Sequence, residues 1–380
     1  MSSSQEKVGT MRLIIIGALA ESLINFRGHL IKAFVSKNCE VVAMAATSPS
    51  TVIAALKTMN VEFKEYPIQR NGMNPLVDYK TVTFLRQFFL QFHADIILAY
   101  TIKPVIWGGI ASRVLPNTRF FALITGLGFA FNGKGFVRGL LSSLVARLYK
   151  FSLTNARKVI FQNPDNLREF VKRGIVPQDK CVLVNGSGVD VVDFSYTPVF
   201  NEQRTTFLTI GRLLGEKGFR EYAEAAQLVK KVYPDTIFQL LGPVDPSPDG
   251  LAITEVEAWH NQGVVEYLGS ASDVRPYIKK CHIYVLPSYH EGMPRTVLES
   301  MAIGRPILTT DVPGCRETVV PGKNGFLVPS ADATALAERM IWFIEHRDHW
   351  AKMGECSREM AEKKFDVTQV NAQIMAILGV

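Results

Sequence analysis

Two short stretches join charged residues to glycine in a pattern suited to moving a group off an anionic leaving group. The first is Tyr289-His290-Glu291-Gly292-Met293-Pro294-Arg295-Thr296-Val297-Leu298-Glu299. Gly292 lets backbone come close to a ligand. Pro294 suits a first helical turn, and the N–H groups of a helix start favour an anion. Glu291 precedes that helix and Glu299 lies within it, about two turns beyond Glu291. One carboxylate can therefore reach a reacting centre while the other reaches a different part of the same ligand. The second stretch is Gly211-Arg212-Leu213-Leu214-Gly215-Glu216-Lys217-Gly218. Its glycines free the loop, and Arg212 and Lys217 supply the two cations that a departing diphosphate needs in place of a metal. Arginine grips phosphate bidentately, whereas lysine acts as a point charge. It is not a P-loop, because G-x-x-x-x-G-K-[S/T] is absent. On spacing alone, plainer assignments stay open: a strand–turn–helix with two solvated glutamates, and a solvated loop.

These stretches need strands and helices to hold them, and the sequence alternates between the two. In the first half, strands are expected at Arg12–Gly17, Glu40–Ala45, Glu62–Tyr66, Asp95–Tyr100, Phe120–Thr125 and Lys158–Gln162. Helices are expected at Phe26–Ser36, Ser50–Met59, Tyr79–Phe92, Val105–Val114 and Pro164–Arg173. Such alternation implies a parallel sheet with helices on both faces. Lys7 and Arg12 ahead of Leu13–Ala20 imitate a signal peptide. A β-branched run that ends in Gly and is followed at once by a helix and a second strand instead marks a buried first strand. After Val182–Asp190, a strand running into a Gly-rich turn, the polar stretch Phe194–Arg204 with Pro198 marks a boundary. The alternation then restarts with strands at Thr206–Ile210, Phe238–Leu241, Ile283–Pro287 and Pro306–Thr309. Its helices are Phe219–Lys231, Thr296–Ile303, Ala333–His346 and Trp350–Lys364. At 380 residues, two α/β domains are expected. They are residues 1–192 with a returning segment 350–380, and residues 193–349, facing across a ligand-binding cleft.

G-R-x-x-x-x-K-G followed about eighty residues later by E-G-x-P-x-x-x-x-E resembles the retaining glycosyltransferases of family 4 (group 1), which have the two-domain, doubly wound GT-B fold. The likeness extends to Gly186-Ser187-Gly188-Val189-Asp190, to Leu268-Gly269 with Asp273-Val274, and to Val312–Glu317 with Gly325–Val328. It is dense over 182–330 and rests on topology over 12–180. The resemblance implies transfer of a sugar from a nucleotide-diphosphate donor, UDP-linked, with retention at the anomeric carbon. Glu291 would contact the transferred sugar. Gly292, Met293, Pro294 and Arg295 would present backbone to sugar and phosphates, with His290 and Thr296 beside them. Glu299 would hold the ribose. Arg212 and Lys217, with Gly211, would hold the diphosphate, and Leu241, Gly242 and Leu268 would line the base. The chain departs from the family after its first strand, where Ala18-Leu19-Ala20-Glu21-Ser22-Leu23 replaces a Gly-Gly pair. It departs again where Thr125-Gly126-Leu127-Gly128 stands in place of a histidine. Acceptor-side candidates are accordingly Ser22, Asn25, Arg27, Thr125, Gly126 and Gly128. Asn25-Phe26-Arg27 with T-G-L-G resembles members that build bacterial lipid-linked or capsular oligosaccharides. The implied acceptor is a saccharide on polyprenyl (undecaprenyl) diphosphate, and the implied donor sugar an N-acetylhexosamine.

Composition bounds the remaining possibilities. Residues 1–190 hold 23 Lys/Arg against 11 Asp/Glu, net +12, whereas residues 191–380 hold 19 against 24, net −5. The basic half is expected to meet something anionic. Phe136–Phe151, apolar with interspersed Arg and Lys, suits the headgroup layer of a membrane, and Thr81–Phe92 is rich in Phe. Arg70, Arg86, Arg113, Arg119, Lys134 and Arg157 add to the charge. No apolar run reaches the ~18 residues of a membrane span, so a cytoplasmic protein, peripheral on the membrane, is expected. The five cysteines form no C-x-x-C pair and read as buried small hydrophobes. Neither histidine spacing nor an Asp-x-Asp suggests a metal, so no metal and no cofactor is expected. The rival assignments are a nucleotide-sugar epimerase or a sugar phosphorylase on the same scaffold, a dinucleotide dehydrogenase, and a non-enzymatic module for anionic surfaces. The dehydrogenase lacks its G-x-G-x-x-G. Nucleic-acid binding lacks a helix-turn-helix or RNP signature.

Overall fold

The computed structural model describes residues 10–69, 74–127, 136–200, 202 and 204–380, with backbone alone at 136–138. Gly128, Lys134 and Arg70 lie outside them. The chain divides into two compact units, Met1–Val184 with Asn371–Val380, and Asn185–Val370. The first division falls before the Gly-rich turn rather than after it. The returning segment is 371–380 rather than 350–380.

In the first unit the strands are β1 (Arg12–Ile16), β2 (Glu40–Ala45), β3 (Glu62–Glu65), β4 (Ile96–Tyr100), β5 (Arg119–Ile124), β6 (Ala156–Phe161) and β7 (Cys181–Leu183). They form one parallel sheet in the order β3-β2-β1-β4-β5-β6-β7. The order reverses direction between β1 and β4, the doubly wound arrangement. Continuous apolar runs such as Leu13–Ile16 and Ile96–Tyr100 are buried throughout, as a sheet covered on both faces requires. The expected helix Phe26–Ser36 runs from Gly28 to Ser36, and a further short helix, Ala20–Asn25, precedes it. The Phe-rich helix starts earlier than expected, at Pro75, where Asn74 accepts the Leu76 N–H and Pro75 needs no partner for its missing one. It buries Phe89 and packs Phe84, Phe88 and Phe92 against the core, so those rings are core rather than surface.

The second unit repeats the plan. Its strands are β8 (Thr206–Ile210), β9 (Ile237–Leu241), β10 (Glu266–Tyr267), β11 (Ile283–Leu286), β12 (Ile307–Thr310) and β13 (Gly325–Val328), all parallel, in the order β10-β9-β8-β11-β12-β13. The order reverses between β8 and β11. Ligands of such sheets bind beyond the carboxyl ends of the strands at that reversal. The loops there are 211–218 and 287–294, the two stretches the sequence singled out. Helix Phe219–Lys230 and helix Ala333–Glu345, the latter capped by Asp332, bury one face in the core with Phe207, Phe238 and Trp350. Helix Arg295–Ile303 and residues Ala361 and Phe365 cover the other.

Candidate functional site

The loop after β8 carries the cations. Gly218 has φ +72°, and a Cβ there would fall 2.1 Å from the Pro287 carbonyl oxygen, so glycine is required where this loop meets the end of β11. Gly242, closing β9, lies so near Gly211 that a Cβ would come within 1.7 Å of the Gly211 oxygen. The β8 loop is also tied along its length to residues 243–251. Leu213 N–H donates to Pro243 O at 2.9 Å and Leu251 N–H to Leu213 O at 2.9 Å. Gly215 N–H donates to Asp249 O at 2.8 Å and Glu216 N–H to the Asp249 carboxylate at 3.0 Å.

The loop after β11 carries the carboxylate. Tyr289 N–H donates to Glu216 O at 2.8 Å, joining it to the cation loop. Ser288 Oγ donates to the same oxygen at 3.2 Å and to His290 O at 3.3 Å. Glu291 N–H donates to Pro313 O at 3.1 Å. Gly314, at φ +85°, lies directly against Glu291, and a Cβ there would meet the Glu291 oxygen at 2.5 Å. Held this way, the Glu291 carboxylate forms an ion pair with the Lys217 ammonium, both side chains mostly buried.

The other expected donor residues take definite places. Pro294 is the N-cap of helix Arg295–Ile303, which starts one residue before the expected Thr296. Thr296 Oγ1 receives a hydrogen bond from Tyr284 Oη at 2.6 Å, so its hydroxyl anchors the helix over β11. Met293 packs under Gly186, whose Cβ position would lie 2.5 Å from the Met293 Cγ. Gly292 is half-buried between Glu291 and Met293, and Leu268, leaving β10, packs partly buried against the core. Glu299 is almost fully buried and paired with Arg295 at 2.7 Å. Burial pushes its carboxyl above the usual range, and Arg295 opposes that rise. Burial likewise raises Glu216; Lys217 opposes the rise and Glu291 and Asp249 reinforce it.

The Arg212 guanidinium is paired with Asp245. Asp245 and Asp249 were missed, although D-P-S-P-D-G over 245–250 is a dense turn signal that can aim a carboxylate back at a neighbouring loop. Cys281 and Cys315 are fully buried, and burial pushes both thiols up to about 12.

The acceptor-side candidates belong to the first unit. Ser22 Oγ is 2.7 Å from Tyr100 Oη, and the Arg27 guanidinium sits 5.1 Å from the centre of the Tyr100 ring. Asn25 is exposed, while Thr125 and Gly126 follow β5 half-buried. Where a Gly-Gly pair was missing, Gly17 lies against Tyr100 and accepts the Tyr66 hydroxyl at 2.8 Å.

Comparison with known proteins bears on the same residues. Residues 195–360 match the family described as glycosyl transferases group 1. The chain is 28% identical over 347 residues to N,N'-diacetylbacillosaminyl-diphospho-undecaprenol alpha-1,3-N-acetylgalactosaminyltransferase of Campylobacter jejuni, covering 88% of this chain and 90% of that one. It is 23% identical over 294 residues to UDP-Gal:alpha-D-GlcNAc-diphosphoundecaprenol alpha-1,3-galactosyltransferase of Escherichia coli, covering 72% and 73%. Among solved structures it resembles sucrose-phosphate synthase from Thermosynechococcus elongatus, with TM-score 0.80, 19% identity and coverage of 97% and 98%. It also resembles Anabaena HepE in complex with UDP, with TM-score 0.78, 18% identity and coverage of 97% and 100%. At those identities the structural likeness is one of fold. Two parallel-sheet units of GT-B type and a group 1 match over the segment that carries Arg212, Lys217, Glu291 and Glu299 lead to one assignment: the chain carries a glycosyl transferases group 1 domain on a GT-B fold and is a glycosyltransferase.

Proposed function

We propose that the chain moves an N-acetylhexosamine from a UDP-linked donor to a saccharide on undecaprenyl diphosphate, with retention and without a donor-bound metal, in bacterial surface glycan assembly. The observation that carries this reading is the Lys217–Glu291 pair, a cation and a carboxylate from the two loops at the sheet's reversal point. In the proposed reaction the bond from the anomeric carbon to the diphosphate oxygen breaks. Negative charge gathers on the leaving diphosphate, where Lys217 and Arg212 neutralise it. Positive charge grows at the anomeric carbon, which Glu291 faces once Lys217 has turned to phosphate. The acceptor hydroxyl attacks from the same face and gives its proton to the diphosphate. Glu299, fixed by Arg295, holds the ribose. Ser22, Asn25, Arg27, Thr125 and Gly126 serve the acceptor. The names of the Campylobacter and E. coli relatives, both built on diphospho-undecaprenol acceptors, support the acceptor class.

The test is a panel of UDP-, GDP- and ADP-sugars with a polyprenyl-diphosphate monosaccharide, in EDTA. A new disaccharide from a UDP-N-acetylhexosamine is expected. Donor epimerised without acceptor, or transfer that stops in EDTA, would contradict the proposal.

A lipid-borne acceptor also requires the enzyme to work at a bilayer, and the first unit has a face suited to one. No described helix is long and apolar enough to cross a membrane. Helix Phe136–Ser152 turns Tyr149 into the core yet leaves Leu140, Leu144 and Phe151 exposed, with Arg147 and Lys150 exposed beside them. Arg113 lies over the Phe151 ring at 4.0 Å. From residue 96 to residue 164 the sequence has nine Lys/Arg and no acid. Each cation near an anionic surface contributes about 1 kcal/mol. Binding to phosphatidylglycerol vesicles, and not to phosphatidylcholine, is expected. Arg147→Glu with Lys150→Glu is expected to weaken it at least tenfold, and undiminished sedimentation of that double variant would remove this face.

A further inference from the structure

The diphosphate clamp has a support that neither the motifs nor the family likeness points to. Arg212 is half exposed, with 46% of its side chain open, whereas its partner Asp245 is only 7% open. A guanidinium has five N–H donors in a fixed plane. Asp245 engages Nη1, so the rest of the fork stays available to a ligand. The carboxylate cannot swing away, because its other oxygen accepts the Ser247 N–H at 2.9 Å. The turn behind it is packed without slack: a Cβ at Gly250 would fall 2.1 Å from the Asp245 carbonyl oxygen. Residues 243–251 are in turn bonded to 213–216 through Pro243, Asp249 and Leu251. Burial alone would push the Asp245 carboxyl up, but its hydrogen bonds to Ser247 and the Arg212 charge hold it below the usual carboxylate range, so it stays ionised.

We infer that Asp245 is a positioning residue for the diphosphate of the donor: a rigid, buried carboxylate that holds one edge of Arg212 so that the other edge is presented to phosphate. This rests on the proposal that Arg212 binds the diphosphate. The arrangement parallels the outer groups that orient metal-ligating histidines. A guanidinium fixed in advance loses less freedom when phosphate arrives.

The expected sign is unusual. Removing a negative charge from an anion site should tighten anion binding if charge alone matters. Asp245→Asn keeps the shape and an oxygen for the Ser247 N–H, but turns an amide NH2 toward the guanidinium, so Arg212 loses its anchor. UDP binding by isothermal titration calorimetry, with thermal melting as the folding control, is the measurement. Asp245→Asn is expected to weaken UDP binding about tenfold, and Asp245→Glu, which keeps the charge but displaces it, is expected to weaken it as well. In an Arg212→Ala background, Asp245→Asn is expected to add nothing further. Binding unchanged or tighter in Asp245→Asn, or an additive loss in the double variant, would overturn the inference. Should Arg212→Ala alone leave UDP affinity intact, the diphosphate assignment itself falls, a result distinct from failure at Asp245.

Discussion

Lys217 holds Glu291 in an ion pair, and in the proposed mechanism that pair opens before the carboxylate faces the sugar. A diphosphate is the natural agent, since it offers Lys217 more negative charge than one carboxylate does. Glu299 is a different case. It is buried, its carboxyl raised by burial, and it stays paired with Arg295. If Glu299 holds the ribose, as proposed, a neutral replacement fits the cavity but loses the charged acceptor for the ribose hydroxyls. Glu299→Gln is expected to fold, to raise the donor KM about tenfold, and to change kcat little. An unchanged KM would separate Glu299 from the donor.

At the scale of elements, the loops after β8, β9, β11 and β12 form one assembly. Glycines allow their closest approaches: Gly218 on Pro287, Gly242 on Gly211 and Gly314 on Glu291. Gly314→Ala places a methyl on the backbone of the proposed catalytic residue at a φ that disfavours it, at a cost of about 1–3 kcal/mol. Melting lower by several degrees with a fall of tenfold or more in kcat is expected. Wild-type kcat with lowered stability would show that Glu291 does not depend on this support. The sequence announced these loops through glycine and charge spacing, because β8 and β11 are apolar runs too short for helices and a helix follows each loop. It did not announce the Arg212–Asp245 pair, because 33 residues separate the partners and only the β8–β9 pairing brings them together. The short strand β10 was missed for a similar reason. Two residues, Glu266 and Tyr267, have no periodicity of their own and are strand only because β9 lies beside them. The short helix Ala20–Asn25 escaped notice because six residues are too few to show a helical period; the backbone turns at Phe26 and Arg27 before the next helix.

At the scale of the whole chain, the repeated strand–helix alternation makes two doubly wound units legible in the residues alone, since buried parallel strands leave little else for such runs to be. Where the units divide is less legible. The polar stretch near Phe194 looks like a linker, yet Arg305, fully buried, donates to the Thr197 carbonyl and fastens it to the second unit. Close by, His282 is fully buried between Phe200 and Trp350. Burial, reinforced by Arg305 and Arg347, pushes its pKa down to about 4. The depressed value means that the folded state binds fewer protons than the unfolded state between about pH 6.5 and 4. The stability from this group is complete above that window and is lost as pH falls through it, by about 3 kcal/mol at most. Urea unfolding at pH 7 and 4.5 is expected to show a smaller acid loss in His282→Gln, whose amide oxygen can still accept the Thr206 N–H. An equal acid loss in both proteins would assign the pH dependence elsewhere.

The carboxylate after β11 is held to act on the sugar while the cations after β8 act on the diphosphate. Single-turnover transfer by Glu291→Gln, at saturating UDP-sugar and polyprenyl-diphosphate saccharide, tests that division of labour most directly. The expected rate is lower by about a hundredfold or more, with UDP affinity near that of the wild type. A wild-type transfer rate in that variant would contradict it.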